Sequence, residues 1–221
     1  MTQARTENRV LILIGLLIVL GLPFAQLSAW TKAHSGLGPL WGAEVFWVTF
    51  FVVILLYVVA VERRPLSSIG FRRPKLSDIP IGVVGALLII AGDIGISVVD
   101  RALHLAVKPQ IAALFATPFW YRAFVVMRAA VVEETAFRGY GFERIVDLTG
   151  SRWLAAFITF ALFTFAHYTG GGLALVFAAA CGGLVLTLLY LWRRNLWTTI
   201  LAHWLTDAVG LLLVPALAPH H

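Results

Sequence analysis

Continuous apolar runs of about 20 residues recur along this chain and restrict its fold more than any other feature. A helix of about 20 apolar residues crosses the hydrocarbon core of a bilayer, whereas a transmembrane β-strand is an alternating run of about ten. Hydrophobic residues make up 60% of the 221 positions, and charged residues only 13%. The predicted fold class is therefore all-α: a polytopic bundle of transmembrane helices in an integral membrane protein.

The apolar runs predict seven transmembrane spans, or eight if residues 100–118 form a further short helix. Pro23 is expected to bend the first span, and the glycines at 170–172 to interrupt the chain after the fifth. No cleavable signal peptide is expected, because the first run is long enough to span and no small-residue cleavage site follows it. The predicted spans have the approximate bounds 10–29, 41–61, 79–99, 119–147, 152–167, 173–192 and 196–214.

The basic residues are distributed unevenly between the two sides that these spans define. The positive-inside rule puts the N-terminus in the cytoplasm, because 12 Lys and Arg residues then lie on the inside and only 3 on the outside. This placement explains the net charge of +6, so no nucleic-acid partner is predicted. The inside residues are Arg5, Arg9, Arg63, Arg64, Arg72, Arg73, Lys75, Arg138, Arg144, Arg152, Arg193 and Arg194, and the outside ones are Lys32, Arg101 and Lys108.

Two adjacent glutamates and an arginine interrupt the fourth apolar run. An ionised group in hydrocarbon costs about 2.5–3.5 kcal/mol on insertion scales, so Glu133, Glu134 and Arg138 predict a functional site. In a helix Glu134 and Arg138 are four positions apart and meet on one face, where they can form an ion pair. Glu133 is turned about 100° away from Glu134 and is expected to face a cavity.

Two further polar pairs lie at helical spacing in later spans. Phe163 shares a face with His167, and His203 shares a face with Asp207. Glu133 and His167 are each 17 residues from Gly150, the predicted turn, so an antiparallel hairpin puts both about 25 Å above that turn. His203 is expected about 12 Å deep in the last span. The depths allow all three sets to meet near the cytoplasmic face.

The fourth helix is then expected to project past the membrane into the cytoplasm. Such a projection suits its later charged residues, Arg138, Glu143, Arg144 and Asp147.

If Glu133, the two histidines and Asp207 meet at one site, their side chains can catalyse a reaction with water. A carboxylate in a partly dry site can take a proton from water, and His167 can hold the same water or protonate a leaving amine. His203 and Asp207 can bind the oxyanion that forms when water attacks a peptide carbonyl. The pattern therefore indicates a water-activating peptidase within the bilayer.

These motifs resemble the CAAX prenyl protease and bacteriocin-processing family, also called the Abi or type II CAAX endopeptidase family. Its pattern is Glu-Glu-x-x-x-Arg, then Phe-x-x-x-His, then His-x-x-x-Asn or Asp, on separate transmembrane helices. The order and the spacings match here, and the loop Ile69–Pro74 resembles the one that precedes the family's core. The resemblance covers about residues 66–214, the predicted catalytic core. Residues 1–65 are predicted to form two N-terminal spans, and 215–221 a short tail that resembles a tag remnant.

The resemblance implies an intramembrane glutamic endopeptidase that cleaves a membrane-associated peptide or protein near the cytoplasmic face. It implies that Glu133 activates water with help from His167, and that His203 and Asp207 form the oxyanion site. Glu134, Arg138 and Phe163 are the implied supporting residues. Many members carry Asn where this chain has Asp207, and an ionised Asp cannot donate a hydrogen bond to an oxyanion. Asp207 therefore either stays protonated, orients His203, or gives a site of lower activity.

Other interpretations of the same residues stay open. No cofactor is expected, but Glu133, His167 and His203 are zinc ligands by type, although no His-Glu-x-x-His helix is present. A non-catalytic bacteriocin-immunity or membrane scaffold protein would keep the fold without needing Glu133. An ion- or proton-coupled transporter is disfavoured by the absence of an internal duplication.

Three further features complete the expectations from the sequence. Asp93 is expected to form a structural pair with Arg122 or Arg128. The lone Cys181 excludes a disulfide within the chain. The compact size and short loops are typical of a prokaryotic inner-membrane protein, with membrane lipids and a peptide substrate as its partners.

Overall fold

A computed structural model describes residues 2–22, 24–105 and 113–214. Within these ranges every regular element is helical and none is a strand, which confirms the predicted all-α class. Pro23, the tail 215–221 and part of the candidate helix within 100–118 lie outside the described residues.

The described residues form eight α-helices. Three of them continue into π-helical turns, at Tyr57–Val61, Thr135–Gly141 and Val209–Leu213, and a 3-10 turn, Leu66–Ile69, lies in the basic loop. The α-helices are α1 (Thr2–Leu20), α2 (Phe24–His34), α3 (Gly38–Leu56), α4 (Asp78–Ala102), α5 (Phe119–Glu134), α6 (Phe142–Thr149), α7 (Arg152–Arg193) and α8 (Leu196–Ala208).

Several of the described helices are long and apolar enough to cross a bilayer. Four qualify singly: Leu40–Val61, Asp78–Ala102, Gly171–Arg193 and Leu196–Leu213. Helices α1 and α2, bent by 62° between Leu20 and Phe24, make a fifth if they count as one broken span. Helix α5 has 16 residues and carries four charged side chains, which explains why it does not qualify by length and composition. The predicted number of seven or eight spans stays a prediction.

Two glycines divide the second half of the chain where the sequence predicts breaks. Gly150 ends α6 with a φ of 72°, and Gly172 interrupts α7 with φ 72° and ψ −159°. Residues with a side chain rarely adopt a positive φ, so glycine suits both positions. The interruption at Gly172 follows His167 by five residues.

The chain divides into two compact units. The first comprises Met1–Arg73 and Val132–Thr159, and the second comprises Pro74–Val131 and Phe160–His221. Helices α5 and α7 each contribute residues to both units.

The first unit has an apolar core around the π-helical turn that follows α5. Ile54 and Val58 of the second predicted span, Ile69 of the basic loop and Tyr140 of the turn are all fully buried. These residues are far apart in sequence, so their burial holds the basic loop against the turn.

A buried ion pair lies beside this core. Arg144 is only 1% exposed, and its guanidinium donates to the Glu62 carboxylate at 2.6 and 2.9 Å. Tyr140 donates its phenol hydrogen to the same carboxylate at 2.8 Å, and Arg144 also donates to the Ser68 hydroxyl at 3.0 Å. Glu143 is buried as well, so neither of these two charges is exposed to solvent. The projection of the fourth helix past the membrane stays a prediction. Glu62 supplies the opposite charge that makes the burial of Arg144 tolerable.

In the second unit α4 packs closely against α8 through glycines. A Cβ atom at Gly82 would lie 2.9 Å from Leu201 Cδ2, and one at Gly85 would lie 3.3 Å from Ala202 Cβ. Small residues at helix contacts let backbones approach closely, as is common between transmembrane helices.

The first residue of α4 ties together the ends of three helices. Asp78 is 3% exposed and accepts hydrogen bonds from Arg193 at 2.7 Å, Asn195 at 2.9 Å and Thr198 at 3.0 Å. The carboxylate thus fixes the connection between α7 and α8, the helix that carries His203.

Candidate active site

The predicted pair of Glu134 and Arg138 is present in the first unit. Arg138 Nη1 donates to Glu134 Oε1 at 2.9 Å, and the two side chains are 1% and 0% exposed. The pair joins the last residue of α5 to the π-helical turn Thr135–Gly141. Glu134 and Arg138 therefore balance each other's charge inside the protein, as their spacing predicts.

Glu133 has different surroundings from its neighbour. Its side chain is partly exposed, whereas Glu134 is fully buried. Arg138 also attracts Glu133 electrostatically. A π-helical turn follows directly, and such turns occur frequently at functional sites. Of the two glutamates, Glu133 is thus the one that solvent or a ligand can reach.

A cavity of about 180 Å³ lies in the second unit. It brings together four of the predicted site residues, from α7 and α8: Phe163, His167, His203 and Asp207. The first pair lies before the interruption at Gly172, and the second lies in α8. The sequence predicted the spacing within each pair, and the packing of the helices brings the two pairs together.

His167 is held in one orientation by its own helix. Its Nδ1 lies 2.7 Å from the backbone oxygen of Phe163. Because a carbonyl oxygen only accepts hydrogen bonds, this nitrogen carries the proton, and in the neutral ring Nε2 is then an acceptor. Such an imidazole can accept a hydrogen bond from water.

His203 is paired loosely with Asp207, one helical turn away. Its Nε2 lies 3.5 Å from Asp207 Oδ2, which is long for a hydrogen bond. His203 is 8% exposed, and the Asp207 side chain is 30% exposed. Phe163, itself 3% exposed, contacts both histidine rings, with centroids at 4.6 Å from His167 and 6.4 Å from His203. Phe163 therefore fixes the positions of both rings by packing.

The cavity contains one acidic residue that the sequence analysis assigned elsewhere. Asp93 of α4 lines it, and Asp93 Oδ1 is buried without a hydrogen-bond partner in the described structure. The expected pairing with Arg122 or Arg128 is wrong: Asp93 forms no ion pair with either, and Arg122 donates to the Phe115 carbonyl at 2.9 Å. The signal that could have found Asp93 is its charge within a span, which by itself points to a functional site.

The three motifs are divided between the two units. Phe163, His167, His203 and Asp207 belong to the second unit, and the motif Glu133–Arg138 belongs to the first. Their meeting at one site stays a prediction. Within the described ranges no group of three or more His, Cys, Asp or Glu side chains could hold a metal ion.

Comparison with known proteins identifies a family for part of the chain. Residues 115–209 match the family model described as type II CAAX prenyl endopeptidase Rce1-like, a family of proteases. The matched segment contains all three motifs and is shorter than the expected 66–214. Searches of curated proteins and of solved structures gave no match. Together with the apolar helices, the match points to an integral membrane protein and supports a peptidase. The predicted resemblance to the type II CAAX prenyl endopeptidases is thereby confirmed for residues 115–209.

Proposed function

We propose that the protein is an intramembrane endopeptidase that hydrolyses a peptide bond of a membrane-associated peptide or protein near the cytoplasmic face. The observation that supports this most strongly is the cavity lined by His167, His203 and Asp207, three residues of the segment that matches the protease family. Imidazole and carboxylate groups are suited to proton transfer and to oxyanion stabilisation. Glu133 is the fourth catalytic group of the proposal.

In the proposed reaction the Glu133 carboxylate takes a proton from water, and the hydroxide attacks the carbonyl carbon of the scissile bond. His167 assists by accepting a hydrogen bond from the same water at Nε2. The carbonyl oxygen becomes an oxyanion; when the C–N bond breaks, the proton on Glu133 passes to the leaving amine. General acid–base steps of this kind typically contribute about 10²- to 10⁴-fold to the rate.

Asp207 is proposed to orient His203 rather than to contact the oxyanion. An ionised carboxylate only accepts hydrogen bonds, and Asp207 Oδ2 already lies beside His203 Nε2. A doubly protonated His203 ring can donate through Nε2 to Asp207 and through Nδ1 to the oxyanion. The Asp at this position then works through the histidine, where an Asn could donate to the oxyanion itself.

The proposal includes the topology and the location. Seven spans with a cytoplasmic N-terminus agree with the 12-to-3 distribution of basic residues. The basic loop between α3 and α4 exposes Arg63, Arg72 and Lys75, as a cytoplasmic loop beside anionic lipid would. Residues 66–214 form the proposed catalytic core, and a prokaryotic inner membrane is the proposed location.

The test compares peptide termini in membranes from cells that express wild type or Glu133→Gln at matched levels. New C-terminal ends should appear with wild type and disappear with the variant. Asp147→Asn is the matched control, since it also neutralises a carboxylate of the first unit but lies on the surface beside Arg64. Wild-type fragments should persist in this control.

The other outcomes separate the alternatives. Identical fragments from wild type and Glu133→Gln, with both proteins folded and the host phenotype retained, would favour a non-catalytic immunity or scaffold protein. Loss of cleavage on chelation and its return with added Zn²⁺ would favour the zinc-dependent form, with Glu133, His167 and His203 as the ligands.

A further inference from the structure

Two chemically different kinds of residue line the cavity of the second unit. One kind is acidic or polar: Asp93, Asp207 and the two histidines. The other kind is the apolar wall from α4 and from α7 beyond Gly172: Ile89, Leu175, Ala178, Ala179 and Leu186. The proposed reaction uses the histidines and Asp207, and it leaves both Asp93 and the apolar wall without a role.

Asp93 is the unmatched charge of the cavity. Asp207 has His203 beside it at 3.5 Å, whereas Asp93 Oδ1 is buried and accepts no hydrogen bond from the described residues. The two carboxylates repel each other. The other titratable groups near Asp93 are His167, which lines the same cavity, and Cys181, which adds no positive charge. A buried acceptor without a donor is unfavourable, so a group that enters the cavity with a donor, and above all with a positive charge, would be bound.

The volume and the lining of the cavity restrict which chemical group can bind there. About 180 Å³ is below the range of roughly 300–1,000 Å³ that is typical of sites for whole drug-sized ligands, and it suits a single side chain. Lys and Arg side chains bury an apolar stem of methylene groups and end in a charge. The wall around Leu175 and Ala178 matches the stem, and Asp93 matches the charged end.

We propose that this cavity binds one Lys or Arg side chain of the peptide substrate, with Asp93 as the residue that selects it. The proposal rests on the proposed peptidase function and names the substrate class: a membrane-associated peptide with a basic residue close to the cleaved bond. Asp93 would pair with the ammonium or guanidinium group, while the stem lies along the wall beside Leu175. A neutral side chain of the same length would fill the space but leave Asp93 unpaired, which is the basis of the discrimination.

Binding can be measured separately from hydrolysis. The protein carries Glu133→Gln and is reconstituted in lipid nanodiscs, and the probes are fluorescent apolar peptides that differ at one residue: lysine, norleucine or acetyl-lysine. Norleucine keeps the stem without the amine, and acetyl-lysine keeps the nitrogen without the charge. We expect the lysine peptide to bind roughly tenfold more tightly than either of the others.

The variants assign the preference to Asp93. Asp93→Asn should bring the lysine and norleucine peptides to equal affinity, and Asp93→Glu should retain part of the preference. Asp100→Asn neutralises a carboxylate of the same helix outside the cavity lining and should keep the full preference. Two results would each overturn the proposal. One is equal affinity of the three peptides for the protein with Asp93 intact, and the other is a lysine preference that survives Asp93→Asn.

Hydrolysis with Glu133 restored separates this inference from the function on which it rests. Cleavage of the lysine and norleucine peptides at equal rates would support the peptidase and refute the basic subsite. A lysine preference in binding without cleavage of either peptide would refute the peptidase and leave the subsite standing.

Discussion

The buried ion pairs of the first unit and the cavity of the second unit differ in how their charges are matched. In the first unit Arg138 is paired with Glu134, and Arg144 with Glu62, at distances of 2.6–2.9 Å. In the second unit the cavity leaves Asp93 without a partner and pairs Asp207 only at 3.5 Å. In a buried ion pair the attraction between the two charges offsets much of their desolvation cost, whereas an unmatched charge in a cavity is costly unless a ligand pairs with it. The contrast distinguishes structural charges from binding charges within one chain, and substitutions in both regions test it.

The largest loss of stability is expected where a buried charge loses the partner of its ion pair. Arg144→Met would leave Glu62 buried without its counter-charge and should lower the free energy of unfolding by about 3–5 kcal/mol. Reversible unfolding in mixed detergent micelles measures this. The double variant Glu62→Met/Arg144→Met should recover most of the loss, and a double variant as unstable as the single one would contradict the assignment of a buried pair.

A large effect on catalysis with a small effect on stability is expected in the cavity. His203→Ala should lower kcat by about 10²- to 10³-fold, the usual result of removing one oxyanion donor. Asp207→Asn should lower it less, because its amide can also donate to the oxyanion. Single-turnover cleavage of a substrate found in the membrane comparison gives both values, and a larger loss for Asp207→Asn than for His203→Ala would argue against an indirect role of Asp207.

Overpacking of the contact between α4 and α8 should lower the stability by an intermediate amount. Gly85→Val places a branched side chain against Leu189 and Ala202 and should cost about 1–3 kcal/mol by overpacking. Gly95→Val, on the same helix with nothing within 4 Å of its added Cβ, is the matched control. Thermal unfolding measured in detergent should show a lower Tm for Gly85→Val and an unchanged Tm for Gly95→Val.

The smallest effect on stability, and of opposite sign, is expected at Asp93. Asp93→Asn removes an unmatched charge, so the free energy of unfolding should stay the same or rise by about 1 kcal/mol. The same unfolding assay as for Arg144→Met provides the direct comparison. A loss of several kcal/mol would mean that Asp93 belongs with the matched structural charges of the first unit.

The sequence predicted contacts within a helix better than contacts between helices. Glu134 with Arg138, Phe163 with His167 and His203 with Asp207 follow from helical spacing, which fixes residues four positions apart on one face. The turn at Gly150 and the break near Gly172 follow from the conformational freedom of glycine.

Contacts between helices depend on how each helix is rotated, and one sequence does not specify this. Glu62 and Arg144 are 82 residues apart, and neither was expected to be buried. Asp93 was predicted to pair with an arginine because the sequence gives its charge but not the direction in which this face of α4 points. The number of spans and the position of Glu133 relative to the histidines depend on the same rotations and stay predictions.

The contacts of Asp78 also have a consequence for biosynthesis. Its partners Arg193, Asn195 and Thr198 follow it by 115–120 residues. At about 5–20 residues per second, a ribosome needs roughly 6–24 seconds to reach them after Asp78 has been made. During that interval the carboxylate has none of these donors, so a nascent chain that stops before Arg193 keeps Asp78 at the start of α4 without the arginine that compensates its charge.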